Sequence, residues 1–333
     1  MSKTKTIIEL FASFNKLNVL IIGDVMIDNY LWGKVDRISP EAPVPIVSVQ
    51  KKESRLGGAA NVAINVQALG ATPILCAVIG GDANGRAFLD LLQQMNMSSE
   101  GLFQSNDRPT TVKTRVIGNN HQMLRVDEEK EEDINASEKK QLINRVTAII
   151  NRKKIDVIIF EDYDKGLINK SLIDQVIKLA RQKNIPVAAD PKKRNFNLYR
   201  HIDLFKPNLK ELRDGMKIDL EKNNIDELKL AVKKLSAEHD IKNTLVTLSD
   251  LGVLISNDSV EKIIPAHFRN ITDVSGAGDT VISVAALCLA SGADAVTMAS
   301  LANLAGGLVC EKVGVVPVEK KTFLEEAKRL KLK

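Results

Sequence analysis

Cysteine is scarce in this chain of 333 residues. Its three thiols, Cys76, Cys288 and Cys310, sit among apolar neighbours without the spacing of a metal site. They read as small core residues, and a reducing, cytoplasmic location is expected. No run of about 18 apolar residues exists to span a bilayer. The opening MSKTKTIIELFASFNKLNVLII lacks the pattern of a cleavable signal. Charge of one sign is also in short supply, with a net charge of only +5 dispersed over lysine-bearing helices. That balance favours small anionic ligands and argues against nucleic acid as a partner. Two phosphate motifs are missing as well. There is no Gly-x-x-x-x-Gly-Lys-Ser/Thr, so a P-loop is excluded. Gly276-Ala277-Gly278 offers Gly-x-Gly, but Val281 stands where a dinucleotide fingerprint needs its third small residue, and no clean strand feeds the turn.

What is present is an alternation of strand-like and helix-like segments. With 44% hydrophobic residues the chain can bury a sizeable core, and one large α/β unit is expected. Buried strands are predicted at residues 18–22, 72–79, 156–160, 187–189 and 243–248, with an antiparallel edge pair at 253–256 and 260–264 turning at Asn257-Asp258. Helices are predicted from Gly57-Gly58 to a C-cap at Gly70, and at 85–95, 137–150, 170–183, 225–235, 293–309 and 318–332. Residues 30–50 carry three prolines and no helical period, so short strands there, joined by 112–117 and 123–126, are predicted to form a separate small sheet. Asp24, Asp162, Asp190 and Asn208 each follow a strand-like run. In a parallel sheet such ends line up along one edge, where ligands bind.

The stretch ITDVSGAGDTVISVAALCLASG, residues 271–292, is a small-residue turn running into an apolar helix. The helix N-terminus would suit a phosphate or a phosphoryl group in transfer. Asp279 is then either a base for an attacking hydroxyl or a helix cap, and the turn alone leaves both open. The glycines at 57–58 allow close approach of a ligand, with Asn61 offering donor and acceptor to hydroxyls, or they mark a tight packing turn.

The order of GGAANVA near residue 60, NLKE at 208–211, TLSDLGV at 247–253 and DVSGAGDT at 273–280 resembles the ribokinase and PfkB family of sugar kinases over essentially the whole chain. GDVMIDNYLWGKVDRISPEAPVPIV, with LRVDEE and DYDKG later, is similar to its D-glycero-β-D-manno-heptose 7-phosphate kinase branch. The resemblance implies a three-layer α/β/α sandwich, with a central mainly parallel sheet and a small β lid inserted at about 30–50 and 110–127, all in one kinase domain. It implies Asp279 as base, with the N–H groups of Gly276, Ala277 and Gly278 as anion hole. Asn208 and Glu211 would order Mg²⁺ mostly through water, and Thr247, Ser249, Gly252, Asn208 and Asn303 would hold ATP. Sugar hydroxyls would meet Asp28, Gly57, Gly58 and Asn61, with Asp24 the other carboxylate of that stretch. The 7-phosphate would be held by Arg37, Arg115 and Lys192, in a pocket that Tyr163 and Lys165 help to shape.

The activity so implied is ATP-dependent phosphorylation of the heptose 7-phosphate at its C1 hydroxyl, a step towards ADP-heptose. A kinase of another sugar or sugar phosphate, or a non-catalytic sugar-binding regulator, are the alternatives. Relatives of this kind pair their lids, so a homodimer through Trp32, Val44, Pro45, Ile46 and Val47 is implied. No His-x-Gly-His occurs, so an adenylyltransferase activity would be expected on a separate protein.

Overall fold

The computed structural model describes residues 5–221, 224–267 and 269–332. Residues 1–4 of the stretch tested for a signal, and Lys333 at the end, lie outside them. Among the described residues, the chain opens with α1 (Ile7–Phe14), β1 (Asn18–Gly23), β2 (Val25–Ile38), β3 (Pro45–Gly58), α2 (Ala59–Ala68), β4 (Thr72–Gly80) and α3 (Ala83–Gln94). It continues through β5 (Leu102–Ser105), β6 (Val112–Gly118), β7 (His121–Glu128), α4 (Ala136–Arg152), β8 (Val157–Glu161), α5 (Lys170–Gln182), β9 (Val187–Asp190) and β10 (Leu204–Phe205). The last third holds α6 (Leu209–Met216), α7 (Ile225–His239), β11 (Thr244–Thr247), β12 (Val253–Ser256), β13 (Glu261–Ile264), α8 (Ala277–Ala290), α9 (Ala295–Val309) and α10 (Lys320–Arg329).

Nine strands form the main sheet in the order β13-β12-β11-β10-β9-β8-β1-β4-β5. Pairing is parallel from β5 across to β11, while β12 and β13 turn antiparallel at the edge. Helices cover both sides, which explains why the central strands are apolar at every position rather than at alternate ones. Val19, Leu20, Ile21 and Ile22 of β1 are all fully buried, as are Val157, Ile158, Ile159 and Phe160 of β8. Each such side chain removed from water contributes about 1.5–3 kcal/mol. The edge hairpin lies where the Asn257-Asp258 pair predicted it, with Asn257 Oδ1 accepting from the backbone of Ser259 and Val260.

The small sheet differs from the expectation of short strands. β2 and β3 are 14 residues each and pair antiparallel over their whole length, from Val25 opposite Gly58 to Ile38 opposite Pro45. Prolines at 40, 43 and 45 fall at the hairpin tip and at the first position of β3, where no ladder donor is required. β6 joins β2 in parallel and β7 closes the order β3-β2-β6-β7. Gly57 and Gly58 end β3, and Gly58 is at the same time the N-cap of α2, which begins at Ala59. The small sheet is rooted at the C-terminal end of β1 and runs outward from it.

Candidate active site

The turn at residues 274–276 delivers α8 to the centre of the molecule. Gly276 caps the helix with φ +76°, a conformation open to glycine, and its missing Cβ leaves room for the Asn61 amide. Asp279 lies in the first turn, 6% exposed, but it caps nothing with its side chain. Asn61 Nδ2 donates to its Oδ2 at 2.7 Å, and the Tyr163 hydroxyl donates to its Oδ1 at 2.8 Å. Burial pushes the Asp279 carboxyl up to about 6 against the pull of these two bonds, with Asp190 raising it further and Lys206 lowering it. A carboxylate held this way titrates close to neutrality, which is the tuning a general base requires.

Around Asp279 the strand ends bring up Asp190, which the sequence placed on the ligand edge, together with Glu161 and Lys206, which it did not single out. Glu161 ends β8, Asp190 ends β9 and Lys206 follows β10. Lys206 is 3% exposed and pairs with Asp190 at 2.6 Å, and its Nζ stands 3.5 Å from where a side chain on Gly278 would begin. Burial opposes its charge, but Asp190 and Glu211 outweigh that and hold the ammonium firmly protonated. Glu161 is fully buried with neither oxygen hydrogen-bonded, and burial followed by the charges of Asp190 and Asp279 drives its carboxyl well above the usual range. Asp190 Oδ1 also has no hydrogen-bond partner. The signal for these was present in VIIFE, DPK and FKPN, each at the end of an apolar run.

The residues expected to bind sugar separate into two groups. Asp28 is buried and ion-paired to Arg115 at 2.5 Å, and a Cβ on Gly57 would collide with its carboxylate, so Asp28, Gly57 and Arg115 do form one cluster. Arg55 belongs to it too, since both guanidiniums lie over the Tyr30 ring, at 5.1 and 5.4 Å from its centroid. Arg55 was missed because nothing in KKESRLGG distinguishes it from a solvated strand residue. Asn61 reaches Asp279 instead of standing free for a hydroxyl.

Asp24 has a role that its sequence position did not suggest. Its carboxylate accepts from the backbone N–H groups of Tyr163 (2.9 Å), Lys165 (3.2 Å) and Leu167 (3.3 Å), so it anchors the loop after β8. Gly58, with φ +61°, packs against the Asp24 carbonyl rather than facing a ligand. Arg37 is exposed near the outer end of β2, opposite Ile46. Nine residues of strand separate it from Asp28, roughly 30 Å at ~3.3 Å per residue, so it does not reach this site within one chain. Lys192 stands among the neighbours of Asp279: its Nζ pairs with Glu211 at 2.5 Å and lies 5.4 Å over the Tyr163 ring. Burial works against that charge, yet Asp190 and Glu211 hold its pKa far above normal. Lys165 reaches outward to Glu129 and Glu131, both at 2.8 Å.

Asn208 and Glu211 form a capping box on α6, each side chain accepting from the other's backbone at 2.8 Å. Thr247 ends β11 and bridges to Asn208, Ser249 starts a short 3₁₀ turn, and Gly252 closes it at φ +91°. Asn303 donates to the Pro265 carbonyl at 2.8 Å. Of the three predicted anion-hole donors, the Ala277 N–H turns back to Val274 at 3.3 Å. Among the described residues no cluster of three or more His, Cys, Asp or Glu forms a metal cage. Even so, the all-oxygen donors Asp190 and Glu211, with an unsatisfied Asp190 Oδ1, fit a hard cation that keeps most of its waters.

Residues 16–321 match the model of the pfkB family carbohydrate kinases. The chain is 38% identical over 317 residues to the bifunctional protein HldE of Geobacter metallireducens and 40% identical over 299 residues to that of Aliarcobacter butzleri, covering 94% and 90% of this chain. It spans 64% and 62% of those two proteins' lengths. Among solved structures, phosphofructokinase-2 from Escherichia coli in complex with potassium superposes with a TM-score of 0.79 at 19% identity, covering 95% of this chain and 99% of that one. Ribokinase from Thermotoga maritima superposes with 0.68 at 19% identity, covering 93% and 99%. The expected ribokinase-like fold is therefore the observed one.

Proposed function

The chain belongs to the pfkB family of carbohydrate kinases, and on that footing we propose that it transfers the γ-phosphate of ATP to the C1 hydroxyl of D-glycero-β-D-manno-heptose 7-phosphate. The observation that carries the phosphotransfer is Asp279, buried at the start of α8 and clamped by Asn61 and Tyr163 beside Lys206. Asp279 takes the proton of the sugar hydroxyl as that oxygen attacks phosphorus. The N–H groups of Gly276 and Gly278 and the Lys206 ammonium, rather than the Ala277 N–H that bonds Val274, would face the charge that develops on the transferring group. A positioned base supplies ~10²–10⁴ in rate, and each oxyanion donor ~10²–10³. Asp190, Glu211 and, through water, Asn208 are the residues that would hold Mg²⁺, which offsets phosphate charge when bound. The nucleotide then lies towards Thr247, Ser249, Gly252 and Asn303.

The choice of a phosphorylated heptose is supported by the N-terminal third of the sequence, by the relatives named HldE and by the Arg55–Tyr30–Arg115 cluster beside Asp28. Two guanidinium forks at the root of the small sheet suit a phosphate better than a neutral sugar end. We assign the 7-phosphate to them in place of Lys192 and Arg37. Lids closing over the sugar would exclude water. Ile38, Val44, Val49, Met123, Leu124 and Val126 leave that sheet with an exposed apolar surface, which supports a homodimer through the lids. Light scattering on Val44→Asp/Val49→Asp should give half the wild-type mass; an unchanged mass would refute the lid dimer. ATP as phosphoryl donor supports a cytoplasmic location. The substrate is tested by ADP release with the heptose 7-phosphate against sedoheptulose 7-phosphate, fructose 6-phosphate and ribose. Preference for another sugar would overturn the heptose and leave the kinase.

A further inference from the structure

Both oxygens of Asp279 are already engaged before any sugar is present. Asn61 holds Oδ2, and Oδ1 takes the phenol of Tyr163 at 2.8 Å. The phenol is not there by chance of rotamer. Its backbone N–H is gripped by Asp24 at 2.9 Å, and its loop is held again by Lys165 N–H and Leu167 N–H on Asp24, by Asp162 accepting from Asp164 N–H, and by the pairs of Lys165 with Glu129 and Glu131. The ring face is covered by the Lys192 ammonium.

We propose that Tyr163 is a positioning residue that stands in for the acceptor hydroxyl: without sugar its phenol caps Oδ1 of Asp279 and keeps water off the base, and the docking sugar hydroxyl displaces it. The proposal rests on Asp279 being the base. An uncapped carboxylate beside bound ATP would activate water instead. The water oxygen would bond to the γ-phosphorus, the bond from that phosphorus to the bridging oxygen of ADP would break, and the water proton would pass to Asp279, leaving phosphate and ADP. A phenol can occupy the same place without reacting, because burial, then the charges of Asp279, Glu161 and Asp190, push its own pKa well above normal. The groups that face Asp279 and set its titration are Asn61 from α2, Glu161 from β8, Tyr163 from the following loop, Asp190 from β9 and Lys206 after β10.

Tyr163→Phe removes one oxygen and keeps the ring. ADP release from ATP without sugar should then rise at least about tenfold, a part of what a positioned base supplies, and the gain should vanish in Tyr163→Phe/Asp279→Asn. The pH profile separates this from a packing role. The phenol bond lowers the Asp279 pKa, so its loss moves the acid limb of kcat/KM, which reports the free enzyme, to higher pH. The acid limb of kcat, which reports the sugar complex, stays in place because the phenol has already left. Unchanged sugar-free hydrolysis, or equal movement of both limbs, overturns the stand-in role while a dead Asp279→Asn leaves the base intact. Sugar-dependent turnover surviving in Asp279→Asn removes the base, and the proposal with it. Thermal melts of each variant confirm that the comparison is between folded proteins.

Discussion

Replacing Asp24 distinguishes an anchor from a sugar ligand, and the structure sets the size of the effect. Its Oδ2 accepts from Tyr163 and Lys165, its Oδ1 from Leu167. In Asp24→Asn the amide oxygen can keep the pair, but an NH₂ then faces the Leu167 N–H, and one buried donor left without a partner costs about 1–3 kcal/mol. Asp24→Ala strands all three, at about 3–6 kcal/mol on the same scale, since two of the bonds are long. Burial already raises the Asp24 carboxyl above its usual range despite those donors, so removing the charge returns part of the cost and favours the lower ends. Unfolding entropy of about 2.1 cal/mol/K per residue gives roughly 0.7 kcal/mol/K for a chain of this length. The melting temperature should therefore fall by about 2–4 °C in Asp24→Asn and about 4–9 °C in Asp24→Ala. ADP release from ATP without sugar should rise at the same time, because the released loop carries Tyr163. Calorimetry and steady-state kinetics on both variants are the assay. A raised KM for sugar at unchanged melting temperature would refute the reasoning and return Asp24 to the sugar.

Arg115→Met breaks the pair with Asp28 and removes one of the two guanidiniums assigned to the 7-phosphate, so KM for the phosphorylated sugar should rise about 10- to 100-fold, matching the ~1.5–3 kcal/mol of a hydrogen bond to a charged group. An unchanged KM in initial-rate kinetics would remove the 7-phosphate from that cluster. Lys192→Met should raise KM for ATP by about tenfold, the ~1.4 kcal/mol of one modest charge contact, and leave that for sugar within about twofold, since Lys192 lies on Glu211; the reverse pattern would restore it to the sugar phosphate. Asp279 titrates at about 6 and must be deprotonated to act, so activity should be complete above that pH and fall as pH drops through it. A flat rate from pH 5 to 8 would contradict this.

The parallel core was legible because strands buried on both faces are apolar at every position, and β1, β4, β8 and β9 fell within a residue or two of the readings. The edge hairpin was legible through Asn257-Asp258. The long β2–β3 hairpin was not: with one face to solvent, 14-residue strands carry charges such as Lys34, Asp36, Lys51 and Lys52 and show no apolar run to mark their length. In the site, the Asp279 turn announced itself by its glycines. The contents of its surroundings did not, because Asp24, Asp28, Asp162 and Asp190 are alike as letters. Only the three-dimensional partners give one to a loop backbone, one to Arg115 and one to Lys206. Arg37 and Lys192 were basic residues in suggestive contexts, and strand length and an acidic neighbour moved each of them elsewhere.

The most direct test of the account is the rate of phosphoryl transfer by Asp279→Asn in a single turnover at saturating ATP, Mg²⁺ and heptose 7-phosphate. The side chain keeps its shape and its bond to Asn61 but loses the ability to take a proton. A loss of ~10²–10⁴ in the transfer step with sugar and nucleotide affinities preserved is the predicted result. Transfer within about threefold of wild type, well inside the loss a missing base entails, would contradict the assignment of Asp279 and with it the mechanism.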